Sequence, residues 1–312
     1  MKKKLCVLGS INVDHIIRVP YFPKAGETLT GYDYQIAYGG KGANQAVAAA
    51  RLGADVQFIG AIGEDQIGQA MKSAFEQDGI DTSPISIIPK QSTGLAMIQV
   101  ADSGENSIVI SAGANGELSS DLVAQHQSVI EQADMLLMQL ESPLQAVELA
   151  AQIAKKSATK VVLNPAPAQP LPESLLSLLD MITPNETEAE ILTGVKVTDE
   201  RSAKQAAEKF HQVGIETVMI TLGSKGVYVS QQIEDKIQGQ IIAGFRVNAV
   251  DTTAAGDTFN GGVVTGLLEG KTLDESIRFA HAAAALSVTR MGAQTAIPTR
   301  QETDQFLLEK QQ

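Results

Sequence analysis

The segment Asp251-Thr252-Thr253-Ala254-Ala255-Gly256-Asp257-Thr258-Phe259 carries the most definite chemistry in the chain. Three small residues, Ala254, Ala255 and Gly256, stand at the start of a stretch that reads as a helix over Gly256–Leu268. Backbone N–H groups at such a start point along the positive end of the helix dipole and hold anions such as phosphate. Asp257 follows at once. A carboxylate beside an anion site needs a task, and the evident one is to accept the proton of a hydroxyl that attacks phosphorus. The competing reading is an ordinary acidic residue in a first helical turn. The Ala-Ala-Gly run favours the catalytic reading, because close approach requires small residues and capping does not.

Four other segments combine polar groups with glycines or caps. Gly9-Ser10-Ile11-Asn12-Val13-Asp14 follows the apolar run Leu5–Leu8. Asn12 and Asp14 share a side in extended chain, and an amide with a carboxylate suits sugar hydroxyls; a polar turn is the alternative. In Gly39-Gly40-Lys41-Gly42-Ala43-Asn44 three glycines allow close backbone approach, while Lys41 and Asn44 flank a helix start. Lys41 precedes Gly rather than Ser or Thr, so this is no Walker phosphate loop, and a tight strand-to-helix turn also accounts for it. Asn185-Glu186-Thr187-Glu188 reads as a helix N-cap, or as Asn185 and Glu188 orienting waters on Mg²⁺. Thr221-Leu222-Gly223-Ser224-Lys225-Gly226 is either a turn between strands or a loop that admits a nucleotide.

Bulk properties narrow the classes. A net charge of −12 argues against a nucleic-acid partner. It leaves ATP open, since the nucleotide brings Mg²⁺ and helix starts hold phosphates without basic side chains. Cys6 is the single cysteine and sits in an apolar run, as a buried strand thiol would. His15, His126, His211 and His281 are scattered, with no H-E-x-x-H; spacing leaves a Ser-His-Asp arrangement open, but G-x-S-x-G is absent. The dinucleotide fingerprint is also missing after the first strand, which counts against a dehydrogenase. Lys2–Lys4 precede an apolar run too short for a signal sequence, and no segment has the roughly 18 apolar residues of a membrane span. The expectation is a cytoplasmic protein.

The elements that must position these groups alternate. Strands are read at Leu5–Leu8, Val56–Ile59, Met135–Leu140, Lys160–Asn164, Met181–Thr183, Thr217–Thr221 and Gly226–Val229. Between them lie helices at Gly42–Leu52, Gln66–Gln77, Ser119–Gln132, Pro143–Lys156, Glu186–Thr193, Glu200–Gln212 and Gly256–Leu268. This predicts one α/β unit over residues 1–312, with a mainly parallel sheet and helices on both faces. Two segments break the rhythm. Tyr32–Tyr38 alternates with period two, and Thr93–Ile110 reads as a hairpin around Asp102-Ser103-Gly104-Glu105. They predict a small separate sheet, inserted from about 14–39 and 93–111, that serves as a lid or dimer surface.

Taken together, these motifs make the chain resemble the ribokinase-type sugar kinases almost end to end. The Asp251–Gly261 stretch is the most specific part, joined by Gly9–Asp14, Gly39–Asn44, Asn164–Ala168, Asn185–Glu188, Thr221–Gly226 and the surroundings of His281. The resemblance implies a three-layer Rossmann-like fold with a β-sheet lid that often pairs two subunits. It implies phosphorylation of a small sugar, D-ribose at O5, by Mg·ATP, giving D-ribose 5-phosphate and ADP. Asn12, Asp14, Gly40, Lys41, Asn44 and Glu141 would bind the sugar. Asp257 would be the base, and Ala254, Ala255 and Gly256 the anion hole. Asn185, Thr221, Gly223, Gly226, Gly256 and His281 would contact the nucleotide, with Glu188 serving Mg²⁺ through water. An activating monovalent cation, usually K⁺, would be held by Asp251, Thr253, Ser287, Arg290 and Gly292. Ala296 stands where the family often has a serine as the last cation ligand.

Alternatives are a kinase of this type for another sugar or a nucleoside, and a non-catalytic sugar-binding protein on the same scaffold. The second would be expected to lose Asp257 or the anion hole, and both are intact.

Overall fold

The computed structural model describes residues 2–234 and 236–310. In chain order it begins β1 (Lys4–Leu8), β2 (Asn12–Val19), β3 (Tyr32–Gly39), α1 (Lys41–Arg51), β4 (Asp55–Gly63), α2 (Gln66–Gln77) and β5 (Ile85–Ile88). It continues through β6 (Gly94–Ala101), β7 (Asn106–Ser111), α3 (Ser120–Gln125), α4 (Gln127–Glu131), β8 (Met135–Met138), α5 (Leu144–Lys156) and β9 (Lys160–Leu163). Then follow α6 (Glu173–Leu176), β10 (Met181–Ile182), α7 (Glu186–Thr193), α8 (Glu200–Gln212), β11 (Thr217–Thr221), β12 (Val227–Ile233) and β13 (Lys236–Ile242). Three helices close the chain: α9 (Ala255–Leu268), α10 (Leu273–Ser287) and α11 (Arg300–Glu309).

Nine strands form the main sheet in the order β13-β12-β11-β10-β9-β8-β1-β4-β5. The seven strands from β11 to β5 run parallel; at one edge β12 turns back against β11, and β13 pairs antiparallel with β12. Along β1, Cys6 and Leu8 join the core on one face while Leu5 and Val7 join the core on the other, all fully buried. Successive strand residues point to opposite faces, so helices must cover both, and three layers result. From β1 the chain goes first to β4 and β5 on one side and later to β8 and its successors on the other. Such a reversal opens a crevice beyond the carboxyl ends of the strands.

The second sheet has four strands, β3-β2-β6-β7. Its hairpin β6–β7 turns at Gly104, as the pattern predicts. β2 is an addition: Asn12–Val19 is a strand that pairs parallel with β6, joined to it by an excursion through the main sheet. Its polar first residues mask it in the sequence. Asp14, Ala37, Ala96 and Ile110 form one row across this sheet, and His15, Ile36, Met97 and Val109 form the next, on the opposite face.

Elsewhere the elements shift in detail. The helix read over Ser119–Gln132 is two short helices broken at His126, whose φ of −106° and ψ of 16° interrupt the spiral. α10 and α11 extend the reading beyond Leu268. α10 is buried on nearly every side, so it lacks the polar stripe that marks a surface helix.

Candidate active site

Most of the glycine- and amide-bearing segments lie at the carboxyl ends of the parallel strands, while Gly39–Asn44 runs on from the end of β3 of the small sheet. Gly9–Asn12 follows β1, Glu141 follows β8, Asn164 follows β9, Asn185 follows β10 and Thr221 ends β11. α1 starts beside them because the chain turns sharply at Gly40, whose φ is +89°. A Cβ there would lie 2.8 Å from the Asn12 nitrogen and 2.9 Å from the Ser10 carbonyl oxygen, so no other residue fits without strain.

Asp257 sits in the first turn of α9 and is buried. Its Oδ2 accepts from Asn44 Nδ2 (3.0 Å) and its Oδ1 from Gln45 Nε2 (2.9 Å), both on α1. Burial pushes its pKa up, against the Lys41 charge and the two amide N–H groups, which favour the carboxylate. Asn44 Oδ1 is buried with no partner in the protein, an acceptor beside Asp257 that suits a ligand hydroxyl. The residue before the helix, Ala254, adopts φ +58°, ψ 14°, strained for alanine. That conformation turns the chain so that α9 begins facing the cavity. The first helical bond is Thr258 N–H to the Ala254 carbonyl (2.8 Å), while Ala255 N–H donates to Thr252 (3.2 Å). Nothing would meet a Cβ on Gly256 within 4 Å, so the space in front of it is open.

Two cavities meet at this helix start. One, of about 640 Å³, is lined by Thr221, Gly223, Gly226, Gly256 and His281 among others. The second, of about 240 Å³, is lined by Lys41, Asn185, Glu188, Ala254 and Asp257. Thr221, Thr252, Ala255 and Gly256 line both. Asn185 thus stands in the smaller polar cavity. There Asn185 and Glu188 form a reciprocal cap on α7, each side chain accepting the other's backbone N–H at 2.8 Å. The sequence offered capping and an ion shell as alternatives for this pair; the cap is present, and Glu188 keeps a second carboxylate oxygen. Its pKa is raised by burial, offset by its bond to the Asn185 backbone and by the Lys41 charge. His281, in the larger cavity, packs 5.1 Å from the Phe259 ring and has its Nδ1 buried without a partner. Burial pushes its pKa down to about 4, so the ring is neutral at physiological pH.

The polar groups after β1 are held by Asn115, which the sequence reading passed over, and by Glu141, which it placed on the sugar. Asn115 accepts from Ile11 N–H (2.9 Å) and donates to Asn12 Oδ1 (2.8 Å), which fixes the Asn12 amide. Ser10 Oγ donates to Glu141 Oε2 (2.6 Å), which also accepts from Lys41 N–H (3.0 Å). Burial, with the Glu141 charge second, pushes the Asp14 pKa up to about 7. Gln45, Gln139, Asn164 and Asn260 complete a buried amide cluster around Asp257 and Gly256. Gln45 and Gln139 read as ordinary helix and strand residues in the sequence, whereas Asn164 and Asn260 fall within segments that the reading singled out.

Asp251 joins two loops. Its Oδ1 accepts from Thr253 N–H (2.9 Å) and Thr253 Oγ1 (2.6 Å), and its Oδ2 from Gly292 N–H (2.8 Å). These bonds hold its carboxyl below the usual range although partial burial opposes them. Ser287 and Arg290 lie at the end of α10 and just after it, with Arg290 N–H bonded to the Ser287 carbonyl (3.1 Å). Ala296 is fully buried and brings no side-chain oxygen.

Comparison with known proteins bears directly on this arrangement. Residues 2–300 match the description "pfkB family carbohydrate kinase". The chain belongs to the pfkB family of carbohydrate kinases. Within that family it is 67% identical to the ribokinase of Haemophilus influenzae over 307 residues, covering 98% of this chain and 99% of the relative. It is 45% identical to the Staphylococcus aureus ribokinase, covering 98% and 100%. Among solved structures, Arabidopsis thaliana ribokinase complexed with ribose and ATP superimposes with a TM-score of 0.91 at 34% identity, covering 98% of this chain and 99% of that one. The chain is thus a phosphotransferase of the carbohydrate-kinase type, as its helix-start carboxylate suggests. Among the described residues no cluster of three or more His, Cys, Asp or Glu could hold a metal directly, and no helix is long and apolar enough to cross a membrane.

Proposed function

We propose that the protein transfers the γ-phosphoryl group of Mg·ATP to O5 of D-ribose, giving D-ribose 5-phosphate and ADP, with Asp257 as the base. One observation carries this reading. A buried carboxylate, held by two amides, stands where a nucleotide-sized cleft and a small polar cavity share the first turn of α9. ATP occupies the larger cleft, near Thr221, Gly223, Gly226 and His281. Its γ-phosphoryl reaches the helix start at Ala254, Ala255 and Gly256, where Ala255 N–H would exchange its 3.2 Å bond to Thr252 for the phosphate and the helix dipole stabilises developing charge. The sugar lies under the small sheet, against Asn12, Asp14, Gly40, Lys41, Asn44 and Glu141. Asp257 orients the hydroxyl and takes its proton as the bond to phosphorus forms. The ribokinase names of the relatives favour ribose.

The residues present fit both ions. Mg²⁺ keeps most of its waters and binds through few carboxylates, and Glu188 offers one free oxygen with Asn185 beside it. It would neutralise the phosphates. For K⁺, the carboxylate of Asp251 is held ionised, and the backbone carbonyls of Thr253, Ser287, Arg290 and Gly292 add hard oxygen donors. Ala296 would contribute its carbonyl alone.

We further read the small sheet as a lid that pairs two copies into a homodimer. Ile36, Met97 and Val109 stand in one row, each more than half exposed, and a second copy would cover them. We read the protein as cytoplasmic with no membrane partner, and the net charge of −12 argues against nucleic acid as a partner.

The test is an ADP-release assay with Mg·ATP, K⁺ and a panel of D-ribose, 2-deoxyribose, fructose, adenosine and 2-keto-3-deoxygluconate. Ribose ahead of the others is the expected result. Preference for another member would move the specificity to a different sugar or nucleoside and keep the base.

A further inference from the structure

Gln45 is fully buried on α1, next to Asn44. Its Nε2 donates both to Asp257 Oδ1 (2.9 Å) and to Asn164 Oδ1 (3.0 Å), and its Oε1 accepts from Gln139 Nε2 (2.7 Å). The orientations of Asn164 and Gln45 are fixed by chemistry, and that of Gln139, whose Oε1 is buried without a partner in the protein, follows from Gln45. The Thr183 carbonyl can only accept, so Asn164 turns its Nδ2 toward it (3.0 Å) and its Oδ1 toward Gln45. Asp257 also accepts when ionised. Both acceptors lie at one end of Gln45, so that end is the NH₂, and the oxygen end meets Gln139. The string therefore has a single direction, from Gln139 after β8 through Gln45 into Asp257.

Asn44 and Gln45 differ in what they leave free. Asn44 keeps a buried acceptor that faces the site, whereas both polar atoms of Gln45 are satisfied within the protein. Gln45 is thus engaged with Asp257 alone among the reacting groups. Were Asp257 protonated on Oδ1, an O–H would face an N–H that cannot turn away, because Asn164 and Gln139 hold it.

We propose that Gln45, oriented by Asn164 and Gln139, is a positioning residue that fixes one oxygen of Asp257 and holds the carboxylate in the ionised form able to take the acceptor proton. This rests on Asp257 being the base. The charged groups facing Asp257 are Lys41 from α1, Glu141 from beyond β8 and Glu188 from α7. Lys41 favours the carboxylate and the two acids oppose it. None of the three is hydrogen-bonded to Gln45, so removing its amide leaves their fields in place.

The experiment measures kcat at saturating sugar, where the titration of Asp14 acting on KM drops out, against pH for the parent, Gln45→Leu and Gln139→Leu, with Asp257→Asn and the double variant Gln45→Leu/Asp257→Asn alongside. A hydrogen bond to a charged group is large enough to move the acid limb of the Gln45→Leu profile upward by roughly one to two pH units. Gln139→Leu frees Gln45 to turn over and moves the limb the same way by less. In the Asp257→Asn background Gln45→Leu costs no further turnover, since its effect acts through Asp257. An unmoved limb in folded variants, or an equal loss in both backgrounds, overturns the proposal while an inactive Asp257→Asn leaves the base assignment standing. Near-parental turnover in Asp257→Asn overturns both. Should Gln45→Leu not fold, Gln139→Leu, which keeps the Gln45 side chain and removes only the group that orients it, decides the question by its own limb.

Discussion

Gly9 and Gly42 meet backbone against backbone: a Cβ on Gly42 would lie 2.6 Å from the Gly9 Cα and from the Ser10 nitrogen. This contact seats the start of α1 against the end of β1 and brings Asn12, Lys41 and Asn44 to one place. Gly42→Ala has no flexible side chain to displace, so the helix itself must shift. We expect a loss of about 1–3 kcal/mol, read as a drop in thermal midpoint, with a raised KM for the sugar.

Asp257→Asn keeps the size of the side chain and removes its capacity to accept a proton. The expected result is a fall in kcat of about 10²–10⁴-fold, with sugar affinity by calorimetry little changed. Turnover near the parental value would remove Asp257 from the base role.

Asp14 titrates near neutrality, its pKa raised to about 7 by burial first and by the Glu141 charge second. The ionised form accepts the stronger, charge-assisted bonds from sugar hydroxyls. Acidification from pH 8 to pH 6 protonates it, and the KM for the sugar is expected to rise about tenfold. Glu141→Gln removes a neighbouring negative charge, so the midpoint of this dependence moves to lower pH. A KM flat across this range would show that Asp14 does not bind the sugar through its charge.

His281 gives a stability prediction of defined sign. Its folded pKa of about 4 lies below its ordinary value of 6.5, because burial disfavours the imidazolium. Between these values the unfolded chain binds the proton and the folded one does not. Stability is therefore complete above about pH 6.5 and is lost as the pH falls toward 4, by on the order of 3 kcal/mol. Denaturant midpoints measured from pH 7 to pH 4 check this, and His281→Gln is expected to flatten the slope.

Strand–helix alternation made the parallel sheet legible, because each strand is an apolar run bounded by glycine or polar residues. The hairpin of the small sheet was legible through Gly104 and its flanking apolar stretches. β2 was not, since its alternation starts on the polar Asn12 and Asp14, which we place in the proposed sugar site. At the site, Asp257 stood out for its small neighbours. Gln45 and Gln139 carry no such mark: buried amides announce themselves only once their partners, more than ninety residues away, are in place.

That distance has a consequence for synthesis. Asn44 and Gln45 bond to a residue more than two hundred positions later, and Gly261 of α9 packs onto Gln45, Ala48 and Ala49 of α1 so tightly that a Cβ would come within 3 Å of each. A chain still on the ribosome can build β1, α1 and β4 from local pairings, yet it leaves those two amides and the small residues of α1 waiting for α9. The site closes only when the last third of the polypeptide emerges. Translation that stops early yields a protein with most of a sheet, an uncovered helix and no catalyst, and such fragments are expected to aggregate or be degraded rather than to act as weak enzymes.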